Sequence, residues 1–151
     1  MKLTTSRLAS SVLVSAALSL SVLAADSKFE ELKIQAEKGD SIKQYLLGCA
    51  YMRAEGTAQD YAKAAEVLRK AGEKGHAKAQ TNLGFLHVNG LGVDKEPAEG
   101  VKWYRKAAEQ GELQAQRNLA QLFERGLGIP KDHKEAVHWY WKAAEQGHLQ
   151  S

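Results

Sequence analysis

Lys102-Trp103-Tyr104-Arg105-Lys106-Ala107-Ala108-Glu109-Gln110-Gly111 returns 36 residues later as His138-Trp139-Tyr140-Trp141-Lys142-Ala143-Ala144-Glu145-Gln146-Gly147. The offset governs far more than these two stretches. Glycine recurs at Gly39, Gly75, Gly111 and Gly147, and again at Gly56, Gly92 and Gly128. Leu47, Leu83 and Leu119 keep the same beat, as do Ala71, Ala107 and Ala143. A fixed period of this length marks a chain assembled from one repeated supersecondary unit.

Within a period the apolar and small residues fall at helical spacing, as in Ala79, Leu83, Leu86 and His87, and then in Val101, Tyr104, Ala107 and Ala108. Each unit therefore reads as two helices. Gly90-Leu91-Gly92 and Gly126-Leu127-Gly128 supply the turn between them, because glycine accepts positive φ without steric cost. The second helix is expected to end at the periodic glycine. Pro97 stands where the first turn of a second helix should begin, the one helical position that tolerates proline. Gly48, Gly84 and Ala120 face Ala64, Gly100 and Ala136 in this register, letting paired helices approach closely.

A single helix pair cannot bury its apolar side, whereas stacked pairs cover one another. The expected fold is all-α, a right-handed α-solenoid of antiparallel helix pairs. Three repeats are expected over 41–76, 77–112 and 113–148. Residues 26–40 read as a capping helix that ends in Ala36-Glu37-Lys38-Gly39 like the second helix of a repeat, which makes about seven helices in all.

Residues 1–25 have the build of a secretory signal: Lys2 and Arg7, an apolar stretch from Val12 to Leu23, then Ala24-Ala25. That stretch is too short to span a hydrocarbon core of roughly 30 Å as a helix. Cleavage near Ala24 or Ala25 and a periplasmic or secreted product without a membrane span are expected. Lys2 and Arg7 have no acidic partner there, so the formal net charge of +3 leaves only +1 for the remainder. Such a balance points away from nucleic acid as a partner.

The residues resemble the Sel-1-like repeat family, relatives of tetratricopeptide repeats. Ala77-Lys78-Ala79-Gln80-Thr81-Asn82-Leu83-Gly84, Asn89-Gly90-Leu91-Gly92-Val93 and the stretch from Lys102 to Gly111 carry the resemblance, and recur in the third repeat. The first repeat departs from the pattern: Lys43 replaces the usual alanine and Val67-Leu68 the aromatic pair. His87 and Phe123 stand where the family favours tyrosine, as at Tyr51. The resemblance implies a protein-interaction scaffold; no catalytic residue, cofactor or metal is expected. Its exported bacterial members are associated with host interaction, envelope assembly and signalling. One cysteine-rich group is linked to binding and hydrolysing β-lactams, which makes that activity the alternative; its disulfide framework needs more than the single Cys49 present here.

A search for chemistry returns little. No Ser-x-x-Lys occurs after the signal, and the five histidines, His76, His87, His133, His138 and His148, include no pair at i, i+4. His87 reads as a core-edge residue, His133 and His138 as solvated, and Cys49 as a small buried hydrophobe. Trp103-Tyr104 and Trp139-Tyr140 recur in register and are expected in the inter-repeat core.

Binding needs particular residues while packing needs the shared ones, so a site should lie where the repeats differ. With the periodic leucines buried, the opposite face of the first helices presents Tyr45, Cys49 and Met52, then Thr81, Phe85 and Val88, then Arg117 and Gln121. By analogy with related solenoids this is expected to be the concave face, and its grading from apolar to charged suits a protein or peptide segment. At the other end Trp141 takes the position of Arg69 and Arg105; it is expected either to fold over the open end of the core or to make a weak homodimer contact.

Overall fold

A computed structural model describes residues 23–24 and 26–149, all of whose regular elements are helical. Apart from residues 23–24, the expected signal sequence lies outside the described residues. A first helix, α1, covers 26–37. It is followed by α2 (Ser41–Arg53), α3 (Tyr61–Glu73), α4 (Ala77–Asn89), α5 (Pro97–Glu109), α6 (Leu113–Arg125) and α7 (His133–Leu149). Pairs α2/α3, α4/α5 and α6/α7 pack most extensively, and α3/α4 and α5/α6 join one pair to the next. The chain is an all-α solenoid.

The starts of the first helices are fixed by acceptors in register. Asp40 accepts from the backbone N–H groups of Ile42 and Lys43, His76 Nδ1 from that of Ala79, and Glu112 from that of Ala115. These satisfy donors that a helix N-terminus leaves unpaired. Pro97 opens α5 after Glu96, which makes no side-chain cap. First helices end in the left-handed conformation, at Gly90 (φ +68°) and Gly126 (φ +70°), but in the first repeat at Ala54 (φ +58°).

The core is continuous in kind along the stack. Leu68, Leu83, Leu86 and Leu119 are wholly buried, with Leu47 nearly so. Gly48 lies under Leu68, where a Cβ would come 2.5 Å from Leu68 Cγ, and a Cβ on Gly100 would lie 2.8 Å from the Gly84 carbonyl oxygen. Phe29 of α1 packs edge-on against Tyr51 at 5.4 Å between centroids, so α1 covers the first end of the core.

Two expectations fail at the other end. The helix containing Gly147 does not stop there: α7 runs 17 residues, to Leu149, where α2 to α6 have 13 each. Among the described residues no helix follows α7, so no packing partner draws the chain into a turn. For the same reason Tyr140 is not a core residue; it is 36% exposed and its hydroxyl donates to Glu124 at 3.1 Å, while the equivalent Tyr104 is buried against the next pair.

Candidate functional site

Helices α2, α4 and α6 lie side by side along one face, and the residues where they meet are tied together rather than free. Asn82 Nδ2 of α4 donates to Cys49 Sγ of α2 at 3.4 Å. Thr81 Oγ1 lies 3.0 Å from the Ala77 carbonyl and 3.0 Å from Glu112 Oε2, the same carboxylate that caps α6. Cys49 and Thr81 are therefore buried, 7% and 6% exposed, and only Cys49 still touches a hollow, the one beside Tyr45. The helical pattern alone puts both in an open row, but the stacking of successive first helices consumes them.

Of the remaining residues, Tyr45, Phe85, Val88 and Gln121 line two hollows, while Met52 and Arg117 line neither. Around the first, of about 420 Å³, stand Tyr45, Leu46 and Arg53 of α2 with Phe29 and Leu32 of α1. Tyr45 is half-buried and stacks on His76, with centroids 4.7 Å apart and planes at 22°. Burial, aided by the Cys49 thiol beside it, pushes the Tyr45 hydroxyl up to about 12, so it stays a neutral phenol at physiological pH. Met52 is half-buried near the same end, its carbonyl accepting from Gln59 at 2.8 Å. This end is a packed corner.

The second hollow, of about 370 Å³, lies where α4 and α6 flank the start of α5. Phe85 and Val88 reach it from α4 and Gln121 from α6, with Leu127, Lys95 and Arg125 around them. Phe85 is 41% and Leu127 43% exposed, an apolar pair held open to solvent beside two cations. Sequence reasoning misses Leu127, Lys95 and Arg125, since they sit in and beside turns that read only as punctuation. Arg117 is exposed on the same helix as Gln121.

Catalytic geometry is sparse. His87 is buried, with Arg69 Nη2 at 3.2 Å from its Nε2 and its Nδ1 unpaired among the described residues. Burial, then the Arg69 charge, hold it below the usual histidine range. Cys49 is a free thiol in the core. No group of three or more His, Cys, Asp or Glu among the described residues could hold a metal ion. No helix among them is long and apolar enough to cross a membrane.

The family model for the Sel1 repeat matches residues 44–76, 77–112 and 113–148, more than half of the chain. The chain belongs to the Sel1 repeat family. A protective antigen of uropathogenic Escherichia coli with this repeat fold is similar at 44% identity and a TM-score of 0.75, over 77% of this chain and 25% of that one. A Sel1 repeat protein of Oxalobacter formigenes shares 34% identity over 83% of this chain and 54% of its own, at a TM-score of 0.71. This Sel1 repeat chain thus spans about a quarter and about half of those two relatives. Cysteine-rich protein B of Helicobacter pylori, 22% identical with a TM-score of 0.68, shares the fold over 82% of this chain and 91% of its own. No curated protein matches the chain. Sel1 repeats generally act as non-enzymatic protein-interaction scaffolds, and the similar solved structures are bacterial.

Proposed function

We propose that this Sel1 repeat chain is an exported scaffold, periplasmic or secreted, that holds a segment of another protein on the face of its first helices. One observation carries the reading: Phe85 and Leu127, both large and apolar, stand exposed in the hollow between the second and third repeats, with Lys95 and Arg125 alongside. An exposed apolar pair of this kind in a concavity is the usual anchor of an interface, while the cations set orientation. The segment that fits is extended or helical, with an apolar or aromatic residue for the hollow and an acidic residue near it. Tyr45 and Met52 extend the face toward the first repeat, and Arg117 and Gln121 toward the third.

The experiment is capture from envelope extract with the purified protein, followed by titration of the retained partner against Phe85→Ala and Arg117→Ala. Each should weaken binding by at least tenfold, about 1.4 kcal/mol, with helical content unchanged. Unchanged affinity in both variants would overturn the reading of this face. Export itself is checked by the intact mass of protein recovered from periplasm or medium, which should lack residues 1 to about 25.

A second, weaker contact concerns Trp141, 62% exposed and therefore not a lid over the core end. With Val137 at 66% and Tyr140 at 36% it forms an apolar strip on α7 that suits a symmetric dimer.

A further inference from the structure

Among the core positions where the repeats differ, one changes the volume most. Position 67 is valine where positions 103 and 139 are tryptophan. Trp103 and Trp139 are buried, 5% and 4% exposed. Trp103 lies in the channel between α3 and α5, close to Gly72 and Gln80, with Lys106 Nζ at 4.5 Å and Arg69 Cζ at 5.9 Å from its ring centroid. Lys142 Nζ stands likewise 4.9 Å from the Trp139 ring. One repeat earlier, the same channel between α1 and α3 is an open cavity of about 320 Å³, bounded by Ala36, Gln44, Leu47 and Val67. Its rim carries Lys33 and Lys70, the residues 36 before Arg69 and Lys106.

The floor of the cavity also holds an incomplete hydrogen-bond pattern. Gln44, Gln80 and Gln116 each send Nε2 to a carbonyl of the preceding second helix, at Ala36 (3.2 Å), Gly72 (2.8 Å) and Ala108 (3.1 Å), which fixes the amide orientation. Gln80 Oε1 then accepts from Gln110 at 2.7 Å and Gln116 Oε1 from Gln146 at 3.0 Å. The equivalent of those donors in the first repeat is Lys74, whose Nζ instead donates to the Gly39 carbonyl. Gln44 is 5% exposed and its Oε1 has no donor among the described residues. A buried carbonyl oxygen left unpaired carries a desolvation penalty that a ligand donor would recover.

We propose that this slot receives a tryptophan side chain presented by a partner protein, its ring over Val67 between Lys33 and Lys70 and its indole N–H donating to Gln44 Oε1. The space matches an indole because the other repeats fill it with one. The cations are in place: Lys70 pairs with Glu66 at 2.8 Å and Lys33 with Glu30 at 3.7 Å, exposed pairs that yield readily when a ring arrives. The acceptor is specific to this repeat. Trp139 gives its N–H to Glu135 at 3.2 Å and the buried Trp103 N–H has no partner among the described residues, while the residue in that register here is Lys63, so the idle Gln44 Oε1 is the acceptor on the floor of this slot. A cavity of this size lies at the lower edge of small-molecule sites, which span about 300–1,000 Å³, and suits one side chain better than a cofactor. The slot is on the opposite side of the first repeat from the first-helix face, so it stands or falls independently of that face.

The test is an NMR titration of the purified, isotope-labelled protein with N-acetyltryptophanamide, its 1-methylindole analogue, free indole, and the peptide acetyl-Gly-Trp-Gly-amide. Saturable shifts should centre on the Gln44 side-chain amide, Tyr51 and Val67, with at least threefold weaker binding of the 1-methyl analogue. Val67→Trp should abolish the response by filling the slot from within. Should that variant fail to fold, Gln44→Leu keeps the packing and should erase the difference between N-acetyltryptophanamide and its 1-methyl analogue. Absence of saturable shifts at Gln44, or equal binding of the two compounds to the unaltered protein, would overturn the proposal. Tighter binding of the peptide than of indole supports a protein-borne side chain, whereas tighter binding of free indole overturns that source.

Discussion

Gly75 and Gly92 both hold positive φ, +87° and +68°, yet their surroundings are opposite. A Cβ on Gly75 would meet nothing within 4 Å. A Cβ on Gly92 would lie 2.2 Å from the Tyr61 carbonyl carbon and 2.3 Å from the Ala62 nitrogen, inside the backbone at the start of α3. Gly128 repeats the arrangement against Pro97 and Ala98, so the second glycine of each turn is the point where one repeat rests on the one before it. Gly75→Ala should cost about 1 kcal/mol, the left-handed penalty of roughly 1–2 less a few tenths gained from the unfolded chain. Gly92→Ala should cost about 2–4 kcal/mol, because backbone overlap adds roughly 1–3 for a forced shift. Urea unfolding followed by circular dichroism at 222 nm measures both. The Gly92 variant should also broaden the transition, since a solenoid loses cooperativity when one inter-repeat contact is weakened. Equal costs, within about 0.5 kcal/mol, would refute the claim that this contact couples the repeats. The reverse change is available at Ala54, the non-glycine at φ +58°: Ala54→Gly should stabilise by up to about 1 kcal/mol.

Further outcomes concern charge and association. His87 is held below its ordinary value, so the folded state keeps it neutral while the unfolded chain takes up a proton near 6.5. The unfolded state then binds more protons, and stability should fall as pH drops through the histidine range. Melting temperatures between about pH 7.5 and 5.5 should fall less steeply in His87→Phe, which installs the residue type that Phe123 supplies in the same register, and an unchanged slope would remove His87 as a cause. His76, lowered by burial, supplies a residual slope of the same sign. Trp141→Arg, restoring the residue type of Arg69 and Arg105, should abolish any concentration-dependent dimer in sedimentation without lowering the melting temperature, because the ring is largely in solvent already.

The period made the architecture legible, since a residue that recurs every 36 positions reports the packing shared by all repeats: Leu83, Leu119, Trp103 and Trp139 are core, and the Gly-x-Gly stretches are turns. What the period cannot carry is the contact of one repeat with its particular neighbour. Cys49 and Thr81 sit on the side of their helices away from the leucines, which looks open in a single helix pair, but the stack lays Asn82 over one and Glu112 against the other. Tyr140 fails in the opposite sense: it occupies a register position that is core in the second repeat, and it is exposed where no described helix covers it. The Phe85 hollow was half visible, as its helical residues differ between repeats, while Leu127 and Arg125 were hidden in turn grammar.

The slot beside Val67 shows why departures from a repeat are more informative than agreements. In a quasi-one-dimensional stack, stability is close to a sum of repeat and interface contributions, so each repeat is under the same physical demand to fill its channel. Two repeats meet it with tryptophan, a lysine over the ring, and a glutamine pair beneath. The first keeps the lysines and the buried glutamine but replaces the ring with Val67 and the second glutamine with Lys74, whose Nζ is held elsewhere. If only packing were at stake, losing the ring would leave Gln44 as a buried amide with an idle acceptor, the costliest combination available at that position. The idle Oε1 finds a partner when a ring with a donor arrives from outside, which is why the Gln44→Leu variant discriminates: it should cost the free protein its hydrogen bond to the Ala36 carbonyl while removing its preference for an indole N–H.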